Sequence, residues 1–170
     1  NASLFQFYKQ NIDYITEHSI DPDKRRHADK DEAPRHYIDV DHYVPSGEDP
    51  LAIMPRDWNK AVELFSEDTL VQYGIVPWHV VRVTSYLTEA FKKGDRDEVL
   101  RLSAELGHYV ADACVPLHTT ENYNGQLTGQ RGVHSFWETR LVELYVDQYD
   151  LLCDEAVYIE NQRDYIWTLV

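Results

Sequence analysis

"LGHYVADACVPLHTTENYNGQLTGQRGVHSFWE", Leu106 to Glu138, gathers three of the chain's eight histidines with an aspartate and a glutamate at helical spacing. His108 and Asp112 are four residues apart, so on a helix they project from one face a turn apart and can converge on one ion. His134 and Glu138 repeat the arrangement. His118 follows Pro116, where the chain has left the first helix and can turn its ring back. The Asn- and Gly-rich stretch holding Asn122, Asn124, Gly125 and Gly129 lets the two helices lie side by side. Imidazole and carboxylate without cysteine suit zinc or a similar divalent ion in an open, catalytic kind of site. A single His-x-x-x-acid pair is usually a surface pair; two such pairs with a histidine between them point to metal.

The rest of the chain reads as helical. "SLFQFYKQNIDYITEHS" places Leu4, Phe7, Tyr8, Ile12 and Ile15 on one helix face, and a long loop is expected from about Asp21 to Pro55. A second helix fits "RDWNKAVELFSEDTLVQYG". A third opens at Pro77 and closes at Lys92, Lys93 and Gly94, with proline in the first turn and glycine after the last. A fourth starts at Asp95, spaced from Glu98 as in a capping box, and runs to about Val115. A fifth is expected over Val133 to Leu152 with Phe136, Leu141, Leu144 and Tyr145 mostly inward, and a sixth near Asn161. The expectation is one all-α domain over residues 1–170, a multi-helix bundle.

With 170 residues, 43% of them hydrophobic, the chain can bury a sizeable core, and no apolar run is long enough to span a membrane. The start lacks the pattern of a signal peptide. Cys114 and Cys153 are too few for a disulfide framework and read as free thiols. The formal net charge of −14 argues against gripping nucleic acid through a broad basic groove. His18 and His27 read as solvated. His79 reads as packed or supporting, and His42 as able to orient a carboxylate. Trp58, Trp78 and Trp137 fall in apolar helical patterns and read as core. A Glu-x-x-His pair, Glu105 and His108, has no second copy, which weakens a di-metal oxidoreductase reading.

The series "RHYIDVDH", "HYVAD", "PLH" and "HSFWE" resembles the superfamily of zinc-dependent phospholipases C and the single-strand-specific S-one and P-one nucleases, all-α phosphodiesterases with up to three zinc ions. The resemblance implies a first zinc held by His36, His108 and Asp112 with an upstream aspartate, either Asp23 or Asp21, of which Asp23 is favoured and is also the position discussed as a general base. It implies a second zinc held by His118, His134 and Glu138, with Asp112 bridging two metals. Asp39 and Asp41 match acids expected to support ligands or fix a loop. The third site uses an N-terminal tryptophan and a histidine that this chain lacks ahead of the first motif. The expectation is therefore a chain truncated at its N-terminus, with its end also short of the family's closing helices.

The compact interval from His118 to His134, "ENYNG" and the His-Ser-x-x-Glu pattern lie closer to the phospholipases than to the nucleases. The implied substrate is a phosphodiester, either a phospholipid headgroup or single-stranded nucleic acid, with no stable membrane insertion and no evident protein partner. The implied location is secreted or periplasmic. A zinc-stabilised domain without catalysis is the non-enzyme alternative.

Overall fold

A computed structural model of the chain describes residues 2–44, 47–152 and 155–170. Among them there are helices and turns and no strand. Its centre is an antiparallel pair, α8 (Val76–Lys93) and α9 (Arg96–Ala113). Gly94, at φ 69°, closes α8 in the left-handed conformation that glycine adopts without cost, and its N–H bonds back to Phe91. Asp95 opens α9 one residue later by accepting from the Glu98 N–H at 3.2 Å. The facing residues Val76, Val80, Val83, Val99, Leu102 and Ala113 form the core with Trp78.

Trp78 stands edge-on between Trp58 and Trp167, with ring centroids 5.7 and 5.1 Å away. Trp167 is 2% exposed and follows the short α12 (Gln162–Ile166), which docks on α8. Burying one such ring removes roughly 150–250 Å² from water, worth up to about 4–6 kcal/mol, and this anchors the C-terminal residues to the core.

The first expected helix is two, α1 (Ala2–Gln10) and α2 (Ile12–His18), because the Asn11 side chain donates to the Phe7 carbonyl and competes with the backbone ladder. α2 packs on α9 and α1 reaches it through the Tyr8 hydroxyl on Ser103 at 2.8 Å, and Leu4 and Ile12 are exposed rather than inward. The second expected helix also divides, into α6 (Trp58–Phe65) and α7 (Glu67–Tyr73). Ser66 breaks it, sitting at φ 69° and capping α7 through the Thr69 N–H.

The segment expected as a long loop is more ordered than its composition suggests. It holds α3 (Asp21–Arg25), a 3-10 turn at Ala33–His36, α4 (Val40–Tyr43) and α5 (Pro50–Ile53). Residues 34–40 are clamped on two sides by backbone bonds. Ile75 N–H donates to Pro34 O and Val76 N–H to Tyr37 O, while Ile38 N–H reaches His118 O at 2.8 Å. Gly74 makes this possible: at φ 91°, a Cβ there would stand 2.1 Å from the Tyr37 carbonyl oxygen.

Beyond α9, a 3-10 turn at Pro116–His118 leads into the loop. The expected fifth helix is helical from Val133 to Gln148 in four pieces: α10 (Val133–Ser135), a π turn over Phe136–Leu141, α11 (Val142–Tyr145) and a 3-10 turn. Leu141 is half-buried, but most of its apolar residues are not inward. Phe136, Leu144, Tyr145 and also Trp137 are exposed, because this segment packs chiefly against itself and no residue from 131 to 150 is buried. Trp58 and Trp78 do belong to the core or pack against it. No described helix is long and apolar enough to cross a membrane. Cys114 is a free, exposed thiol, and Cys153 lies outside the described residues.

Candidate metal centre

α9 presents His108 and Asp112 from one face, and the clamped 3-10 turn carries His36 against them. His36 Nδ1 stands 3.1 Å from His108 Nε2 and 2.9 Å from Asp112 Oδ2, which is itself 3.3 Å from His108 Nε2. Asp23 completes this group from α3, with Oδ1 at 3.8 Å from His36 Nδ1 and 3.9 Å from His108 Nε2. Asp21, the alternative upstream aspartate, turns away to His18 and Lys24 at 2.6 and 2.7 Å. His18 is therefore paired rather than simply solvated.

The second group lies beside the first. His118 Nδ1 is 2.6 Å from the His36 carbonyl oxygen, and His134 Nδ1 is 3.1 Å from the Tyr123 carbonyl oxygen. A carbonyl only accepts, so both rings carry their proton on Nδ1 and, when neutral, turn the Nε2 lone pair inward. What they face is Glu138, whose two oxygens are 3.0 Å from His118 Nε2 and 2.9 Å from His134 Nε2. Three electron-pair donors thus converge where a cation would reconcile them.

Two sets of donor atoms, Asp23, His36 and His108 and then His118, His134 and Glu138, each lie within 4.8 Å of one another. Asp112 stands between them, with Oδ2 toward His36 and Oδ1 3.6 Å from His118. Burial would raise its pKa, but hydrogen bonds from His108 and His36 and the nearby His118 overcome this and hold it at about 2. Burial likewise pushes His108 down, and Asp112 and Asp23 more than reverse it. The pocket is negative and selects for cations. All-N/O donors in these numbers fit zinc.

Sequence reading missed the support beneath His36. Glu32 is fully buried one helical turn earlier, and its Oε1 is 3.5 Å from His36 Nε2, an atom with no closer polar partner. Arg35 at 2.7 Å, Arg25 at 3.3 Å and the Tyr109 hydroxyl hold Glu32 in place. A carboxylate behind a ligating histidine fixes the ring's tautomer and raises its basicity. The i, i+4 spacing of Glu32 and His36 was the available signal; it carried no weight in a segment taken for a loop.

Of the acids expected to support the site, Asp41 fixes the loop by accepting from Thr120 Oγ1 at 2.6 Å and the Glu121 N–H at 3.0 Å. Asp39 instead lines a cleft of about 590 Å³ that opens on His36, His118 and His134, together with Arg26 and Tyr123. Burial, then Asp41 and Glu121, raise its pKa to about 6. His42 faces none of the metal-binding carboxylates among the described residues: it stacks on Tyr73 at 3.2 Å between ring centroids and lies 3.7 Å from the Glu121 carboxylate. His79 is buried and packed edge-on to Tyr109, away from the ligands.

No curated protein sequence and no solved structure is significantly similar to the chain. A family model does match, over residues 1–168, nearly the full sequence and all four motifs that meet at this centre. The chain belongs to the zinc dependent phospholipase C family.

Proposed function

We propose that this protein is a phosphodiester hydrolase whose zinc is held by Asp23, His36, His108 and Asp112 on one side and by His118, His134 and Glu138 on the other, within one domain. The observation that carries the reading is the convergence of the two Nδ1-protonated histidines on Glu138 at the wall of an open cleft. Zinc bound there supplies Lewis acidity toward a phosphoryl oxygen and makes water nucleophilic near neutral pH.

The chain's own residues do the rest. Asp23 Oδ1 faces His36 and His108, whereas none of its described contacts uses Oδ2, which is left to take a proton from the attacking water. Arg26, 3.5 Å from Asp23 and in the cleft wall, is placed to orient a phosphate oxygen. Water adds to phosphorus as it gives its proton to Asp23, the bond to the alcohol oxygen breaks, and the alkoxide takes up a proton from solvent, so that a phosphomonoester and an alcohol leave.

The favoured substrate is a phospholipid headgroup. Among the described residues Arg26 is the one arginine that lines the cleft, with no lysine, which suits one phosphodiester better than a strand. Family resemblance is the ground for proposing that the enzyme works outside the cytoplasm.

The test compares rates on short-chain phosphatidylcholine, a small chromogenic phosphodiester and single-stranded DNA and RNA at matched zinc and protein. Faster turnover of the lipid and the small diester, lost in His118→Ala, is expected. Rapid digestion of nucleic acid without lipid turnover would establish the nuclease alternative, and zinc content with no turnover at all would establish the non-catalytic one.

A further inference from the structure

A second cavity, of about 370 Å³, lies between α3, α8 and α9 and shares no wall residue with the metal cleft. Among the described residues its walls carry Arg25, Arg35, Arg82 and Arg101 with the acids Asp29 and Glu105, and Glu32 and Glu98 bond the arginines from outside the wall. In a chain of net charge −14, four of the 16 lysines and arginines meet in one hollow. Such a concentration of like charge is unfavourable unless something offsets it.

The offset within the protein reaches three of the four arginines and leaves Arg82. Glu105, 6% exposed, is shared by Arg25 at 2.7 Å and Arg101 at 2.8 Å; Arg101 also donates to Glu98, at 2.9 Å from its Nε, and Arg25 to Glu32 at 3.3 Å, which fixes these two guanidiniums in place. Arg35 is held by Glu32. Arg82 has no acidic partner among the described residues; its one described contact is the Trp58 ring, 5.9 Å from the guanidinium carbon. His79 is also in the wall. It is 93% buried by its 7% exposure, and its Nδ1 has no hydrogen-bond partner. Burial, with Arg35 and Arg82 beside it, lowers its pKa to about 3, so the ring is neutral and adds an unpartnered polar nitrogen without adding charge.

We infer that this cavity binds a phosphate-class oxyanion, with Arg82 as its principal charged contact and Arg25, Arg101 and His79 completing the cradle. The Arg82 fork, which no described carboxylate occupies, matches an edge of a tetrahedral dianion and gives bidentate hydrogen bonds, and Arg25 and Arg101 add the N–H groups that their carboxylates leave over. Arg25 and Arg101 are already immobilised by Glu32, Glu98 and Glu105, so little of their side-chain freedom is lost on binding. The volume lies at the low end for small-ligand sites, roughly 300–1,000 Å³, and admits either inorganic phosphate or a phosphomonoester with a small organic group.

The experiment is calorimetric titration of the zinc-loaded full chain with inorganic phosphate and, separately, with phosphocholine. Wild type is compared with Arg82→Ala, Arg82→Lys and, for the metal cleft, His118→Ala. The expected result is a binding event that survives His118→Ala and weakens about tenfold in Arg82→Ala, the size of one lost charged hydrogen bond. Arg82→Lys, which keeps the charge but not the fork, should weaken it less and covers the case in which the alanine variant does not fold. Binding of both probes marks inorganic phosphate as a sufficient ligand, and binding of phosphocholine alone marks the organic phosphomonoester. If neither probe binds, if all binding disappears in His118→Ala, or if the folded Arg82 variants bind as wild type does, the inference is wrong.

Discussion

Replacing Glu32 by glutamine should weaken the fold and the metal centre together. The carboxylate is fully buried and accepts from Arg35 at 2.7 Å, from Arg25 at 3.3 Å and from the Tyr109 hydroxyl. Glutamine keeps the volume and one acceptor oxygen but leaves Arg35 without a described charged partner and Arg25 with Glu105 alone. Breaking a fully buried pair costs about 3–5 kcal/mol. Here Arg25 keeps Glu105, and both arginine side chains are about a third exposed and can rehydrate. The loss should therefore be smaller, about 2–3 kcal/mol, or about 4–12 °C in Tm for a domain of this size.

The sign of the pH dependence follows from Glu32's titration. Burial pushes its pKa up, but Tyr109, Arg25 and Arg35 bring it below the ordinary 4.5. The folded state therefore favours the ionised form, so this stabilisation is complete above pH 4.5 and is lost as pH falls through the depressed folded value. The difference between Glu32→Gln and wild type should shrink over that acidic range. His36 also loses the carboxylate behind its Nε2, and removal of such a partner costs about 10–100-fold in metal affinity. The assays are melts from pH 3 to 7 and zinc competition against a chromophoric chelator. A variant as stable as wild type at pH 7, with unchanged zinc affinity, would refute the reasoning.

Asp112→Asn should lose at least half of the bound zinc by elemental analysis, whereas Asp41→Asn, which disturbs only the bonds to Thr120 and Glu121, should keep it; equal zinc in Asp112→Asn and wild type would remove the bridging role. Asp39→Asn should stabilise the protein at pH 7 by about 1–2 kcal/mol, allowing for partial solvent screening, because Asp39 titrates at about 6 and its ionisation opposes folding above that pH. The gain should fade as pH falls toward the ordinary 3.8, where both states are protonated, and denaturant melts at pH 4 and pH 7 check it.

The α8 and α9 pair was legible because its signals are local: Pro77, Gly94, Asp95 and apolar residues at helical spacing all act within a few residues. The ligand pairs 108 and 112 and 134 and 138 were legible for the same reason. What the sequence concealed depends on contacts between distant segments. The ordering of residues 34–40 comes from backbone bonds to Ile75, Val76 and His118, and the role of Gly74 comes from the approach of Tyr37. Glu32 gains its meaning only when Arg25, Arg35 and Tyr109 close over it. The fifth helix misled in the opposite direction. Its apolar periodicity is real, but Phe136, Trp137 and Leu144 find no described partner surface that buries them.

That difference in packing has a consequence for how the two halves of the centre respond to loss of metal. His108 and Asp112 ride on α9, whose Tyr109 and Ala113 are fully buried, so the first group is held by the core. His134 and Glu138 ride on a segment with no buried residue, held to the rest through Glu138 with His118, His134 with the Tyr123 carbonyl and the Asn124 side chain on the Gly132 N–H. Without a cation, the lone pairs of His118 and His134 oppose the Glu138 carboxylate, and the main tether becomes repulsive. Metal bound only by the folded segment stabilises it by RT ln(1 + [L]/Kd), about 4 kcal/mol at a thousandfold excess over Kd. Chelation should then raise amide exchange over residues 133–148 by about two to three orders of magnitude while the buried turns of α8 and α9 stay protected. Peptide-resolved hydrogen exchange with and without chelator measures this directly. Equal loss of protection in both regions would mean that the whole fold depends on the metal, and no change in 133–148 would mean that Glu138 and His134 do not bind it.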